Sequence, residues 1–121
     1  MRERLKSFRH AINGLKILLV EEHNARIHFI VAFFVLIAGL FLKISLFEWI
    51  VVILSIGFVI SLEIINTSIE NIADFVSPDK HEKIKKIKDL SAASVLVGAI
   101  TSFIIGLIIF IPKLLRFYSE F

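Results

Sequence analysis

From Trp49 to Phe58 and on to Leu62 the chain carries no charged residue; the apolar pattern then continues into Glu63-Ile64-Ile65-Asn66-Thr67-Ser68-Ile69-Glu70-Asn71-Ile72-Ala73-Asp74. A run this long and this apolar predicts a membrane-spanning helix. An ionisable group at bilayer depth costs roughly 2.5–3.5 kcal/mol even on the lenient insertion scale, so carboxylates placed there mark a functional surface. At about 100° per residue, Glu63, Glu70 and Asp74 fall within roughly 40° of one another around a helix. Asn66 and Thr67 flank this stripe. The sequence therefore specifies one polar face at a defined depth.

The remaining composition narrows the class. The 121 residues suffice for a single domain, 1–121. Hydrophobic residues make up 57% of the chain, and the mean hydropathy of +0.86 is far above that of an ordinary soluble domain. With no cysteine, neither a disulfide framework nor a thiolate metal site can form. Gly14, Gly39, Gly57, Gly98 and Gly106 are isolated, so no glycine-rich phosphate loop is present. Strand–helix alternation is also absent, which excludes a Rossmann-like fold. The expected fold is all-α and integral to the membrane, with no nucleic-acid partner.

Residues 1–20 alternate Leu5, Phe8, Ile12, Leu15 and Leu19 with Arg2, Arg4, Lys6, Arg9 and Lys16, the pattern of an amphipathic surface helix. Three membrane helices follow, over 27–47, 47–76 and 90–111. Lys43 lies near the far end of the first, where it can snorkel, and Trp49 suits an interfacial anchor. The second helix is overlong: about 30 residues extend about 45 Å, against a hydrocarbon core of about 30 Å. Its acidic last turns should emerge at the interface before Ser77-Pro78 ends it. Pro112 is expected to stop the third helix. Six Lys or Arg precede residue 27 and five lie in 80–88, eleven of the fourteen in the chain. By the positive-inside rule the N-terminus and this loop are cytoplasmic and the C-terminus is outside. The expected location is the inner (cytoplasmic) membrane.

Carboxylates from two segments then meet at one level. Glu22 and Glu70 can hold Mg²⁺, which takes one or two protein carboxylates with phosphate oxygens and water. Glu63 lies about 10 Å deeper along the helix and can act as a proton acceptor instead. Lys88 can meet a polyphosphate. Metal, base and lysine together supply what direct phosphoryl transfer requires. Simpler roles compete at the other positions. The remaining loop lysines fix topology, Ala92, Ala93, Ser94 and Gly98 serve close helix packing, and His28 hydrogen-bonds Asn24 one turn earlier. A small oligomeric channel or transporter subunit is the alternative of a different class.

The stretch Glu63–Asp74 and the run Lys88-Asp89-Leu90-Ser91-Ala92-Ala93-Ser94-Val95 resemble the signature of the prokaryotic diacylglycerol kinase family, as do the length and the helix pattern. The resemblance implies a homotrimeric lipid kinase in the bilayer, with ATP and Mg²⁺, phosphorylating a membrane lipid alcohol. It implies that Glu63 is the general base with Asn66 beside it, that Glu22 and Glu70 hold the metal, and that Glu22, Glu70, Asp79, Lys80, His81, Lys88 and Asp89 contact the nucleotide. Glu22-His23-Asn24-Ala25-Arg26-Ile27-His28 is similar to the undecaprenol kinase branch, which makes undecaprenol the first substrate and diacylglycerol the second.

Overall fold

The computed structural model describes residues 1–121, an all-helical chain of four elements: α1 (Arg2–Glu21), α2 (His23–Leu42), α3 (Leu46–Val76) and α4 (Glu82–Ser119). Helices α2, α3 and α4 are each long and apolar enough to cross a bilayer. The protein is thus a multi-pass membrane protein with an N-terminal helix ahead of three spans. Only 13 of its 121 residues are buried within one chain, so lipid or further subunits must cover the remaining apolar surface.

Each boundary of α3 has a local cause. Ser45 Oγ accepts from the Glu48 amide at 3.1 Å and Glu48 Oε1 accepts from the Ser45 amide at 2.8 Å, a reciprocal capping box. The helix then runs for 31 residues, about 46 Å, and its last turn closes where the Ser77 amide donates to Ala73 O, one residue before Pro78. Glu48 has a second task. Its carboxylate lies 3.2 Å from Lys113 Nζ, which joins the start of α3 to the far end of α4.

That contact helps explain a departure from expectation. Helix α4 does not stop at Pro112; it continues to Ser119. Proline's fixed φ suits a helix and removes a single backbone donor, a loss that membrane helices tolerate where neighbouring groups pack around it. Here Lys113 reaches Glu48, and the Phe117 ring stacks edge-on against Phe41 of α2 at 5.2 Å.

The α2–α3 corner is tight. The amides of Lys43 and Ile44 both donate to Gly39 O. Trp49 folds onto Gly39, where an added Cβ would stand 2.8 Å from its ring. Trp49, expected as an interfacial anchor, therefore packs into the corner. The turn requires Lys43 at φ 52°, in the left-handed region. Helices α3 and α4 form the principal pair. Gly98 permits their approach, since a Cβ there would meet Leu62 Cδ1 at 2.5 Å. Ala92, Ala93 and Ser94, expected to serve the same packing, are exposed in the single chain; only Ser91 and Gly98 of this run are buried.

The left-handed corner yields a prediction. A side chain at a left-handed position costs about 1 kcal/mol relative to glycine. Lys43→Gly should therefore raise resistance to unfolding in mixed detergent by about that amount. An unchanged or lower unfolding midpoint would show that the Lys43 side chain stabilises the corner by other means.

Candidate active site

The site begins at the break between α1 and α2. Glu22 is extended, at φ −110° and ψ 111°, so the chain turns between a surface helix and a span. Leu18 and Ala25, on either side of the break, are almost completely buried. Asn71 Nδ2 donates both to Glu21 Oε2 at 3.1 Å and to Thr67 O at 2.9 Å, which ties the end of α1 to α3. This docking sets Glu22 beside Glu70. The neighbours that act on the Glu70 carboxyl are Glu22, Asn66 and Lys88, drawn from three different elements. Two carboxylates facing one another form a pair able to share a cation. No third His, Cys, Asp or Glu completes a larger ligand cluster, and an Mg²⁺ completed by phosphate oxygens and water requires none.

A buried hydrogen bond locks the level of α4. Ser91 Oγ donates to Asn66 Oδ1 at 2.7 Å, with both residues 7% exposed. Three residues earlier, Lys88 pairs with Asp74. Lys88 lies before the charge-free part of α4, and Asp74 raises the pKa of its amine, keeping it cationic throughout the neutral range. Asp89 turns elsewhere and pairs with Lys85 at 2.6 Å. Asp79, Lys80 and His81 are exposed in the α3–α4 connection. His81 caps α4, its Nδ1 accepting from the Lys83 amide at 3.1 Å, and Asp79 O accepts from Ser77 Oγ at 3.0 Å. Within one chain these three residues make no hydrogen bond or ion pair with Glu22 or Glu70.

Glu63 is the most enclosed polar residue, 2% exposed. Its Oε1 lies 3.2 Å from His28 Nε2 but is not aligned for a hydrogen bond. The expected pairing of His28 with Asn24 is therefore corrected: His28 faces Glu63 across the α2–α3 interface. Thr67 Oγ1 is also buried without a partner. Asn71, Glu21 and the Ser91 hydroxyl are structural members of the site that the sequence reading did not single out. Thr67 and Asn71, spaced i,i+4, carried the only advance signal, a second polar row beside the acidic stripe.

Fold and site together define a class: a three-span helical membrane protein whose carboxylates, amide and lysine gather where surface helix, span and loop meet. The family described as prokaryotic diacylglycerol kinase matches residues 9–110, and the chain belongs to that family. It is a membrane lipid kinase. The chain is similar to the undecaprenol kinase of Bacillus subtilis, 42% identical over 109 residues that cover 90% of this chain and 89% of the relative. It is 34% identical to a diacylglycerol kinase of Synechocystis over 112 residues, covering 92% of this chain and 64% of that one. A diacylglycerol kinase of Helicobacter pylori is 34% identical over 95 residues, 78% of this chain and 74% of the relative.

The Ser91–Asn66 bond can be tested directly. Ser91→Ala strands a buried amide oxygen and should lower stability by about 1 kcal/mol, the scale of interhelical hydrogen bonds in membranes. Ser94→Ala, whose hydroxyl bonds only Ser91 O of its own helix, should change it far less. Equal effects in thermal unfolding would contradict the assignment.

Proposed function

We propose that the protein transfers the γ-phosphate of ATP to undecaprenol at the cytoplasmic face of the inner membrane, as a homotrimer using Mg²⁺. The observation that carries this reading is the meeting of Glu22, Asn66 and Lys88 around Glu70, on the same helix as the deeper, buried Glu63. The 42% identity to an undecaprenol kinase favours that lipid. The diacylglycerol kinase relatives keep diacylglycerol as the second candidate.

The roles follow from position. Glu22 and Glu70 would hold Mg²⁺, which fits because the two carboxylates lie together, with Lys88 close by. When bound, Mg²⁺ supplies neutralisation of polyphosphate charge. Lys88 adds a positive charge at the same level, after exchanging Asp74 for a phosphate oxygen. Asn66, held by Ser91, fixes the amide beside Glu70. Asp79, Lys80, His81 and Asp89 contact the nucleotide from the cytoplasmic loop and the start of α4. The lipid hydroxyl attacks the γ-phosphorus, the bond from phosphorus to the β-bridging oxygen breaks, and the hydroxyl proton passes to the Glu63 carboxylate. Glu63 thereby stabilises charge that develops only during transfer. Support for a trimer comes from the exposed Ala92-Ala93-Ser94 run, which offers a close-packing face to a second helix. The lysine-rich segment 80–88 supports the cytoplasmic orientation of the loop.

Purified protein in lipid vesicles, given radiolabelled ATP, Mg²⁺ and either undecaprenol or diacylglycerol, should label undecaprenol more efficiently. Labelling of neither lipid would refute the reading, and a preference for diacylglycerol would reverse the substrate order. Glu63→Gln should lower kcat by about 10²–10⁴-fold, the usual share of a general base, while the subunit mass stays unchanged. A variant with near-normal kcat would remove Glu63 from that role.

A further inference from the structure

The end of α1 meets α3 through two neighbouring pairs. Glu21, the last residue of α1, accepts a hydrogen bond from Asn71 Nδ2 at 3.1 Å. Glu22, the next residue, faces Glu70, the residue just before Asn71. The first pair joins a carboxylate to an amide and attracts; the second joins two carboxylates and repels. Asn71 holds Glu21 in a fixed direction. One hydrogen of its amide goes to Thr67 O of its own helix at 2.9 Å, which sets the side chain along α3. The second hydrogen on the same nitrogen then reaches Glu21 Oε2. Glu21 adjoins Glu22 in sequence, yet no third His, Cys, Asp or Glu joins Glu22 and Glu70 in a cluster.

We propose that Asn71 determines which cation the site takes: it holds the Glu21 carboxylate away from Glu22 and Glu70, and so keeps a two-carboxylate site suited to Mg²⁺ rather than Ca²⁺. This rests on the reading of Glu22 and Glu70 as the cation pair. Mg²⁺ demands near-octahedral geometry, keeps several waters and uses one or two protein carboxylates. Ca²⁺ takes roughly six to eight oxygens, tolerates irregular geometry, and its affinity is tuned by the number of charged ligands and the rigidity of the site. A third carboxylate on a loosened segment therefore favours Ca²⁺. It also takes a position that phosphate oxygens or water fill in phosphoryl transfer.

The break between α1 and α2 is the segment that Asn71 restrains. Glu22 is extended there, its amide held by Leu18 O at 2.9 Å and its carbonyl accepting from the Arg26 amide at 3.3 Å. Without the Asn71 bond, the Glu21 side chain is free to turn toward the neighbouring pair. The bond joins an amide to a charged acceptor, which strengthens it. Both partners are exposed, so water competes for them. The resulting bias against a third carboxylate is about three- to tenfold.

Three variants of the full-length protein in lipid vesicles test the proposal, with Ca²⁺ and Mg²⁺ each competing against Mn²⁺ in the presence of a non-hydrolysable ATP analogue. Asn71→Leu removes both donors and keeps a similar size and a good helix former. It should raise the ratio of Ca²⁺ to Mg²⁺ affinity by about three- to tenfold. Glu21→Gln keeps an oxygen for Asn71 and should leave the ratio unchanged. The double variant should return the ratio to the wild-type value, because the freed group no longer carries charge. An unchanged ratio in Asn71→Leu overturns the proposal. So does a ratio that stays raised in the double variant, since the added ligand is then not Glu21, or one that falls in Glu21→Gln, which makes Glu21 a ligand already. In the metal-free protein, Asn71→Leu should speed hydrogen exchange of the Val20–Glu22 amides by about three- to tenfold, and Glu21→Gln should not; equal rates in Asn71→Leu and wild type overturn the tether. Metal binding that ignores both Glu22→Gln and Glu70→Gln sinks the cation pair, and this proposal with it. A ratio that follows Asn71 in a protein that transfers no phosphate sinks the kinase reading alone.

Discussion

Glu22, at the break between α1 and α2, and Glu70 of α3 are held side by side near the end of an overlong membrane helix. Like charges near one another repel, so folding does not bring such a pair together for its own stability. The surrounding structure holds them there. Burial of Leu18 and Ala25, the Glu22 break and the Asn71–Glu21 bond dock the surface helix against α3. The Ser91–Asn66 bond sets α4 at the matching depth. In the proposed phosphoryl transfer, a cation shared by both carboxylates would turn that repulsion into an attraction.

The membrane explains why these groups gather at one level. Polar side chains are costly in hydrocarbon, and they become tolerable where water, loop lysines and surface helix meet the end of α3. The stripe then divides by depth. Glu70 and Asp74 lie with Lys88 toward the loop, whereas Glu63 is enclosed and meets only His28. At the opposite end the Glu48–Lys113 pair and the Phe41–Phe117 stack fasten α4 to its neighbours. The two ends of the α3–α4 pair are thus anchored by polar contacts, with Gly98 allowing close approach between them.

Much of this was readable from the residues. The acidic stripe, the overlong second helix and its end at Ser77-Pro78 follow from periodicity, length and proline chemistry. Helical spacing shows which residues share a face; it does not show how that face is rotated toward another helix. Hence Glu63 could be singled out while its neighbour His28, 35 positions away in sequence, was assigned to Asn24. Lys88 was singled out, but its pairing with Asp74 needed the α3–α4 connection to be folded. Pro112 misled because a proline ends helices in water more readily than in a packed membrane bundle.

The central claim is that Glu22 and Glu70 share one divalent cation. Mn²⁺ binding, followed by its electron paramagnetic resonance signal in the presence of a non-hydrolysable ATP analogue, measures this through a double-mutant cycle. Glu22→Gln and Glu70→Gln should each weaken Mn²⁺ binding by about tenfold or more, and the double variant should be little worse than either alone. Wild-type affinity in either single variant, or independent and fully additive losses, would contradict a shared ion.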